Sequence, residues 1–209
     1  MGPTYDAGAV QEPSDVALAT DGRTLRSLRT REAIVDATIG LLELGDLRPT
    51  APRVAEQAGV SVRSVFQHFD DLETLHAAVA ERLVERVAVL VVPVDPALPL
   101  EERLDRFVRQ RALLLESVTP IRRAAEVHGP FSSEITQRLR DGQAFLRSEL
   151  VHTFGPELSV AGAERDDLLD ALDAVLSWST WEGLREGRGR DQPTAARVMR
   201  RLAAAVLAT

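Results

Sequence analysis

Residues 50–69, TAPRVAEQAGVSVRSVFQHF, constrain this chain more than any other stretch. Val54, Ala55 and Ala58 share one face at helical spacing, and Gly59 follows where a helix needs a left-handed residue to stop. Ser61 then offers a cap, with Val65 and Phe69 four residues apart behind it. The pattern predicts two short helices joined by a tight turn, with Val60 plugging the corner. In such a helix-turn-helix the second helix is shaped to enter the DNA major groove.

The flanks extend the pattern. Ile34, Ala37, Thr38, Leu41 and Leu42 give an apolar face to a helix over 30–44, which Gly45 stops. Thr50 is the expected N-cap of the second helix, with Pro52 in its first turn. Asp71 caps a fourth helix reaching about Val89, with Glu73 in its first turn. Pro93, Pro96 and Pro99 then mark a domain boundary. Beyond them, Pro120, Pro130 and Pro193 signal helix starts, and Gly129, Gly155 and Gly187 signal ends. These signals predict helices at 100–118, 120–128, 131–153, 163–187 and 193–208. No segment alternates as a strand does. Residues 1–22 mix Gly, Pro, Asp and Ser without periodicity and read as a disordered tail.

Composition narrows the function classes. The chain is 44% hydrophobic but only 4% aromatic, so its core is aliphatic and suits helices. The absence of cysteine excludes disulfides and thiolate metal sites and fits a reducing, cytoplasmic compartment. No apolar run is long enough to span a membrane, and the acidic N-terminus does not read as a signal peptide. The net charge of −7 argues against a protein that coats nucleic acid. Residues 23–86 hold nine arginines against ten acids, so any DNA affinity must come from how a few arginines are placed, not from bulk positive charge. Arg23, Arg26, Arg29 and Arg31 lie close together, either as a solvated helix start or as a basic arm on phosphates or the minor groove.

Residues 31–75 resemble the DNA-binding domain of the TetR family of bacterial transcription regulators. The resemblance runs through Arg31, Ile34, Ala37, Leu41, Gly45, Thr50, Val54, Ala55, Ala58, Gly59, Val60, Ser61, Val65, Phe66, His68, Phe69, Asp71 and Leu75. It implies an all-α protein with an N-terminal three-helix helix-turn-helix domain and a larger helical ligand-binding and dimerisation domain. The boundaries expected are a tail over 1–22, a DNA-binding domain over 23–90 that includes the connecting fourth helix, and an effector and dimerisation domain over 91–209. Two positions depart from the family pattern. Phe66 stands where a phosphate-binding tyrosine is usual, and Leu72 where a lysine is usual. Each loses a phosphate contact, which Arg53, Arg48 or the arginine arm would have to replace.

Geometry assigns the remaining roles on the reading helix. With Val65 and Phe69 inward, Val62, Arg63, Phe66 and Gln67 lie opposite. Arg63 suits a guanine edge or, more simply, a phosphate; Gln67 suits adenine and Val62 a thymine methyl. Thr50, Arg53, Ser61, Ser64 and His68 are candidate backbone contacts, His68 alternatively being a packed helix-end histidine.

Residues 178–208 resemble the last two helices of many TetR-type proteins, which pair with a second copy. Leu168, Leu172, Val175 and Ser179 form one candidate stripe, and Val198, Leu202, Ala205 and Val206 another; the alternative is that both belong to the protomer's own core. A homodimer would double the site and predicts a palindromic operator in double-stranded DNA. In relatives the middle helices enclose a small-molecule pocket. Candidates here are Phe107, Arg111, Leu114, His128, Phe145, His152 and Trp178, which would suit an apolar ligand, or are ordinary core.

The implied function is a repressor released by a small ligand, with no cofactor and no metal. The competing reading is a helical ligand- or protein-binding module with weak or lost DNA affinity. Enzymatic signals are slight. His128 and His152 lack ligand spacing, and Asp166, Asp167, Asp170 and Asp173 read as a solvated acidic face.

Overall fold

The computed structural model describes residues 15–208, and all regular structure among them is helical. The first helix, α1 (Asp15–Glu43), is longer at its start than the apolar periodicity suggests. Residues 22–29 are exposed, but Ala, Leu and Arg are strong helix formers and continue the helix upstream of the packed face. The expected tail therefore gives up residues 15–22 to α1, and its remaining part lies outside the described residues.

Two glycines shape the head. After α1, the Asp46 amide donates to the Leu41 carbonyl and the Gly45 amide to that of Leu42, both at 3.0 Å. After α2 (Ala51–Ala58), Val60 reaches Ala55 at 2.9 Å and Gly59 reaches Glu56 at 3.2 Å in the same pattern. Both glycines take left-handed backbone, φ 89° at Gly45 and 68° at Gly59, where any side chain is strained. Thr50 stands at the N-cap position of α2 but makes no capping bond through its side chain, unlike the expected cap. Ser61 does cap α3 (Val62–His68), accepting from the Ser64 amide at 3.1 Å. Asp71 caps α4 (Leu72–Ala88), accepting from the Thr74 amide at 2.7 Å.

These elements close one apolar core around Ile34, Leu42, Val54, Val65, Phe69, Leu75 and Val79. Ala124, from much later in the chain, is buried in the same cluster. A second core gathers Leu104, Phe107, Leu115, Leu150, Phe154, Leu172, Trp181 and Met199. It is built by α5 (Leu100–His128), α6 (Ser133–Thr153), α7 (Gly155–Val160), α8 (Arg165–Val175), α9 (Trp178–Arg185) and α10 (Gln192–Leu207).

The breaks differ from those expected. α5 runs straight through Pro120, where two helices were anticipated. A proline inside a helix costs about 3 kcal/mol. Burial of Leu115, Thr119 and Ala124 on both sides of it offsets that cost. Conversely, the single helix expected over 163–187 divides at Leu176 and Ser177. Leu176 is fully buried, and Ser177 caps α9 by accepting from the Thr180 amide at 3.2 Å. A short 3-10 turn over Gly129–Phe131 precedes α6, which Ser132 caps.

One buried ion pair locks the larger core. Arg103, 4% exposed, donates twice to Glu157 at 2.7 and 2.5 Å, and also to the Thr153 and Leu98 carbonyls. Every nitrogen of its planar fork has a partner, which is what a guanidinium needs when withdrawn from water.

Candidate nucleic-acid interface and cavity

Helix α3 is held by its inner face and presents its outer one. Val65 and Phe69 are 1% and 2% exposed, whereas Phe66 is 51% and Val62 38% exposed. Arg63 and Gln67, one turn apart, are exposed beside them. Neither has an ion pair or side-chain hydrogen bond among the described residues. The outer face is therefore two free polar heads flanked by two apolar groups.

The other arginines of the head divide sharply. Arg82 and Arg86 lie beside Glu32, Asp36, Glu43 and Glu85 at 3.3–3.8 Å. Arg53 pairs with Asp46 at 3.1 Å, and Arg31 stacks over the Phe69 ring at 4.9 Å. Arg23, Arg26, Arg29, Arg48 and Arg63 are exposed and have no acidic partner among the described residues. Pairing thus consumes much of the head's negative charge internally and leaves unpaired cations outside.

Further from α3, a cavity of about 660 Å³ lies between α4, α5 and α6. Its walls are Val79, Leu83, Val84 and Val87 from α4, Leu114, Val118 and Ile121 from α5, and Ile135, Leu139 and Phe145 from α6. Ser132 donates to Glu73 at 2.8 Å at one end of the gap between α4 and α6, and Arg138 approaches Glu81 at 3.8 Å across it. His76 of α4 meets His128 of α5 with ring centroids 5.0 Å apart, and His128 Nε2 donates to the Leu47 carbonyl at 3.1 Å. The cavity wall is thereby tied to the loop that precedes α2. Burial, then the neighbouring His128, push the His76 pKa below its ordinary value, against an opposing pull from Glu73.

Among solved structures, the chain matches a candidate TetR-family transcriptional regulator of Mesorhizobium loti MAFF303099 with a TM-score of 0.64 and 19% identity. The match covers 88% of this chain and 97% of that one. The chain has the TetR-family fold. No family model matches its sequence, and no curated protein is significantly similar to it.

Within that TetR fold the anticipated site residues scatter unevenly. Ser61 and Ser64 share a hydroxyl contact at 3.0 Å, so both serve the cap of α3 before any phosphate. Thr50 is exposed, His68 is half-buried at the end of α3, and Arg53 is engaged with Asp46. Leu72 packs against the head's core, which accounts for an apolar residue there.

Arg111, Leu114, His128, Phe145 and Trp178 line the cavity together. Phe107 instead lies in the core, edge-on to Phe154 at 5.3 Å, and His152 is exposed and lines no part of it. Sequence reasoning missed the α4 wall and, apart from Phe145, the α6 wall, although apolar residues at positions 79, 80, 83, 84 and 87 make a face wider than the head's core needs.

The anticipated dimer stripes are also redistributed. Leu172 is fully buried in the protomer's own core and Ser179 lines the cavity, because the break at Leu176–Ser177 interrupts their stripe. Leu168, Val175, Val198 and Val206 pack partly against that core, leaving Leu202 and Ala205 exposed on α10.

Proposed function

We propose that this chain is a sequence-specific, DNA-binding transcriptional regulator of the cytoplasm. The observation that carries the reading is the outer face of α3, where Arg63 and Gln67 stand free between exposed Val62 and Phe66. A guanidinium and a carboxamide one turn apart can each make paired hydrogen bonds to a purine edge, and the apolar groups suit thymine methyls. The unpaired Arg23, Arg26, Arg29 and Arg48 supply phosphate contacts in place of the missing tyrosine hydroxyl and lysine.

One short helix reads only a few base pairs, so the working unit is a homodimer on an inverted repeat. Its two reading helices would stand roughly 34 Å apart, one turn of DNA. The exposed Leu202 and Ala205 make α10 the natural dimer face. A small, largely apolar ligand in the cavity would prefer a different spacing of the heads and release the operator, giving repression that the ligand lifts. The contact of His128 with the Leu47 carbonyl and with His76 supports such a coupling, since it links the cavity wall to the head.

A second reading, a helical binding module without DNA affinity, draws on Phe66, Leu72 and the net charge of −7. Fluorescence anisotropy on DNA flanking the protein's own gene separates the two. Binding to an inverted repeat that weakens steeply with salt is expected; salt-insensitive or absent binding there would sink the regulator.

A further inference from the structure

The cavity is apolar along most of its length, yet one wall carries a guanidinium that the fold does not satisfy. Arg111 is 4% exposed, as buried as Arg103. The two differ in their partners. Arg103 is enclosed by Glu157 and two carbonyls. Arg111 donates from Nη2 to the Leu146 carbonyl at 2.9 Å and lies over the Phe107 ring at 4.8 Å. Its Nε and Nη1 have no hydrogen-bond partner among the described residues. No carboxylate stands within ion-pair distance of it there either: Asp173, also on the cavity wall, is drawn to Arg147 at 3.5 Å.

The protein does not seal these two nitrogens off, so both still meet solvent-sized space. A ligand that filled the cavity without pairing them would strip a charged donor of its hydration, at a severe cost. Burial lowers the Arg111 pKa to about 10, with the fields of Asp173 and Glu149 opposing the fall, so the group stays charged at neutral pH. The opposite end of the cavity has a different character. His128, seventeen residues further along α5, lies about 25 Å away at the helical rise of 1.5 Å per residue. Between them α5 offers Leu114, Leu115, Val118, Ile121 and Ala124 to the cavity.

On the reading that this cavity is the effector site, we infer that its ligand is an elongated amphiphile bearing one carboxylate. The carboxylate accepts from Arg111 Nε and Nη1, and the apolar chain runs along α5 toward the His76–His128 pair. A neutral hydrocarbon would leave those donors buried and unpaired. A cation would meet the guanidinium directly. The cavity's volume of about 660 Å³ falls within the range of ordinary small-molecule sites.

The test uses the full chain with decanoate, decan-1-ol and decylamine, read by calorimetry and by the fluorescence of Trp178, which lines the cavity. Decanoate should bind at least about tenfold tighter than decanol, and decylamine more weakly than either. Arg111→Met should bring decanoate down to the level of decanol while leaving decanol within about twofold, and Arg111→Lys should keep part of the preference. Equal binding of acid and alcohol by the unmodified protein, a preference for the amine, or no binding of any saturated carboxylate from hexanoate to palmitate overturns the inference. None of those outcomes depends on a variant folding. Anisotropy on operator DNA in parallel keeps the two proposals apart. Decanoate that binds without releasing DNA leaves the ligand class standing and defeats the release mechanism. Release by a neutral or cationic compound in the same cavity, with carboxylates inert, does the reverse.

Discussion

The head and the larger helical domain carry almost the same balance of charge, nine arginines to ten acids against sixteen to eighteen, and use it oppositely. In the larger domain arginines hold helices together: Arg103 to Glu157, Arg123 to Glu182, Arg185 to Glu116, Arg200 to Glu101. In the head, Arg82 and Arg86 absorb acids from α1 and α4, while Arg63 and Arg23, Arg26 and Arg29 of α1 are left facing water. Net charge says little about what a surface attracts; which charges are already spent says more. Arg111 is the exception that marks a site, a buried cation in the domain where buried cations are otherwise paired.

Removing a partner tests this contrast most severely. Glu157→Ala strands Arg103 in a buried position and should cost roughly 3–5 kcal/mol of stability. Urea denaturation followed by circular dichroism reads that loss, and a cost below about 1 kcal/mol would class the pair with ordinary surface bridges.

In the head the loss should appear in DNA binding rather than stability. Arg63→Ala should weaken operator binding by about 1–3 kcal/mol and relax specificity at one base position, with stability unchanged within about 0.5 kcal/mol. An equal loss on every sequence would reduce Arg63 to a phosphate contact.

The turn between α2 and α3 comes next. A Cβ added at Gly59 meets nothing within 4 Å, so Gly59→Ala suffers only from its φ of 68°. The expected cost is about 1–2 kcal/mol, seen in thermal unfolding together with weaker DNA binding. If stability were unchanged, the left-handed turn would not be what positions α3.

The smallest effect is one of pH. The His76 pKa is lowered from 6.5 on folding, chiefly by burial, so the native state takes up its proton later than the unfolded chain. The stability it contributes is present above pH 6.5 and is lost as the pH falls toward the folded value. The titratable neighbours facing it are the half-buried His128 across the α4–α5 contact and the exposed Glu73 on its own helix. His76→Leu should flatten this part of the stability profile; an unaltered profile would remove the histidine pair from the coupling between head and cavity.

How much of this was legible in sequence depended on range. Ile34, Ala37, Thr38, Leu41 and Leu42 were read from spacing alone and are all buried. Ser61 and Asp71 cap as their residue types suggest. Pro120 misled, because a helix packed on both sides tolerates what an isolated one does not. Leu172 and Ser179 misled for a related reason: their shared stripe assumed one continuous helix, and burial of Leu176 ended it early.

By itself, the sequence determined the two left-handed turns at Gly45 and Gly59, the inward faces of α1, α2 and α3, and the free outer face that presents Arg63. Those depend on the chirality of the backbone and on contacts a few residues apart. Only the tertiary structure decided which arginines are spent and which are available. Arg103 finds Glu157 across 54 residues, His128 finds Leu47 across 81, and Arg111 meets no acid within ion-pair distance among the described residues. Periodicity carries no record of such meetings, because each is set by how whole helices dock.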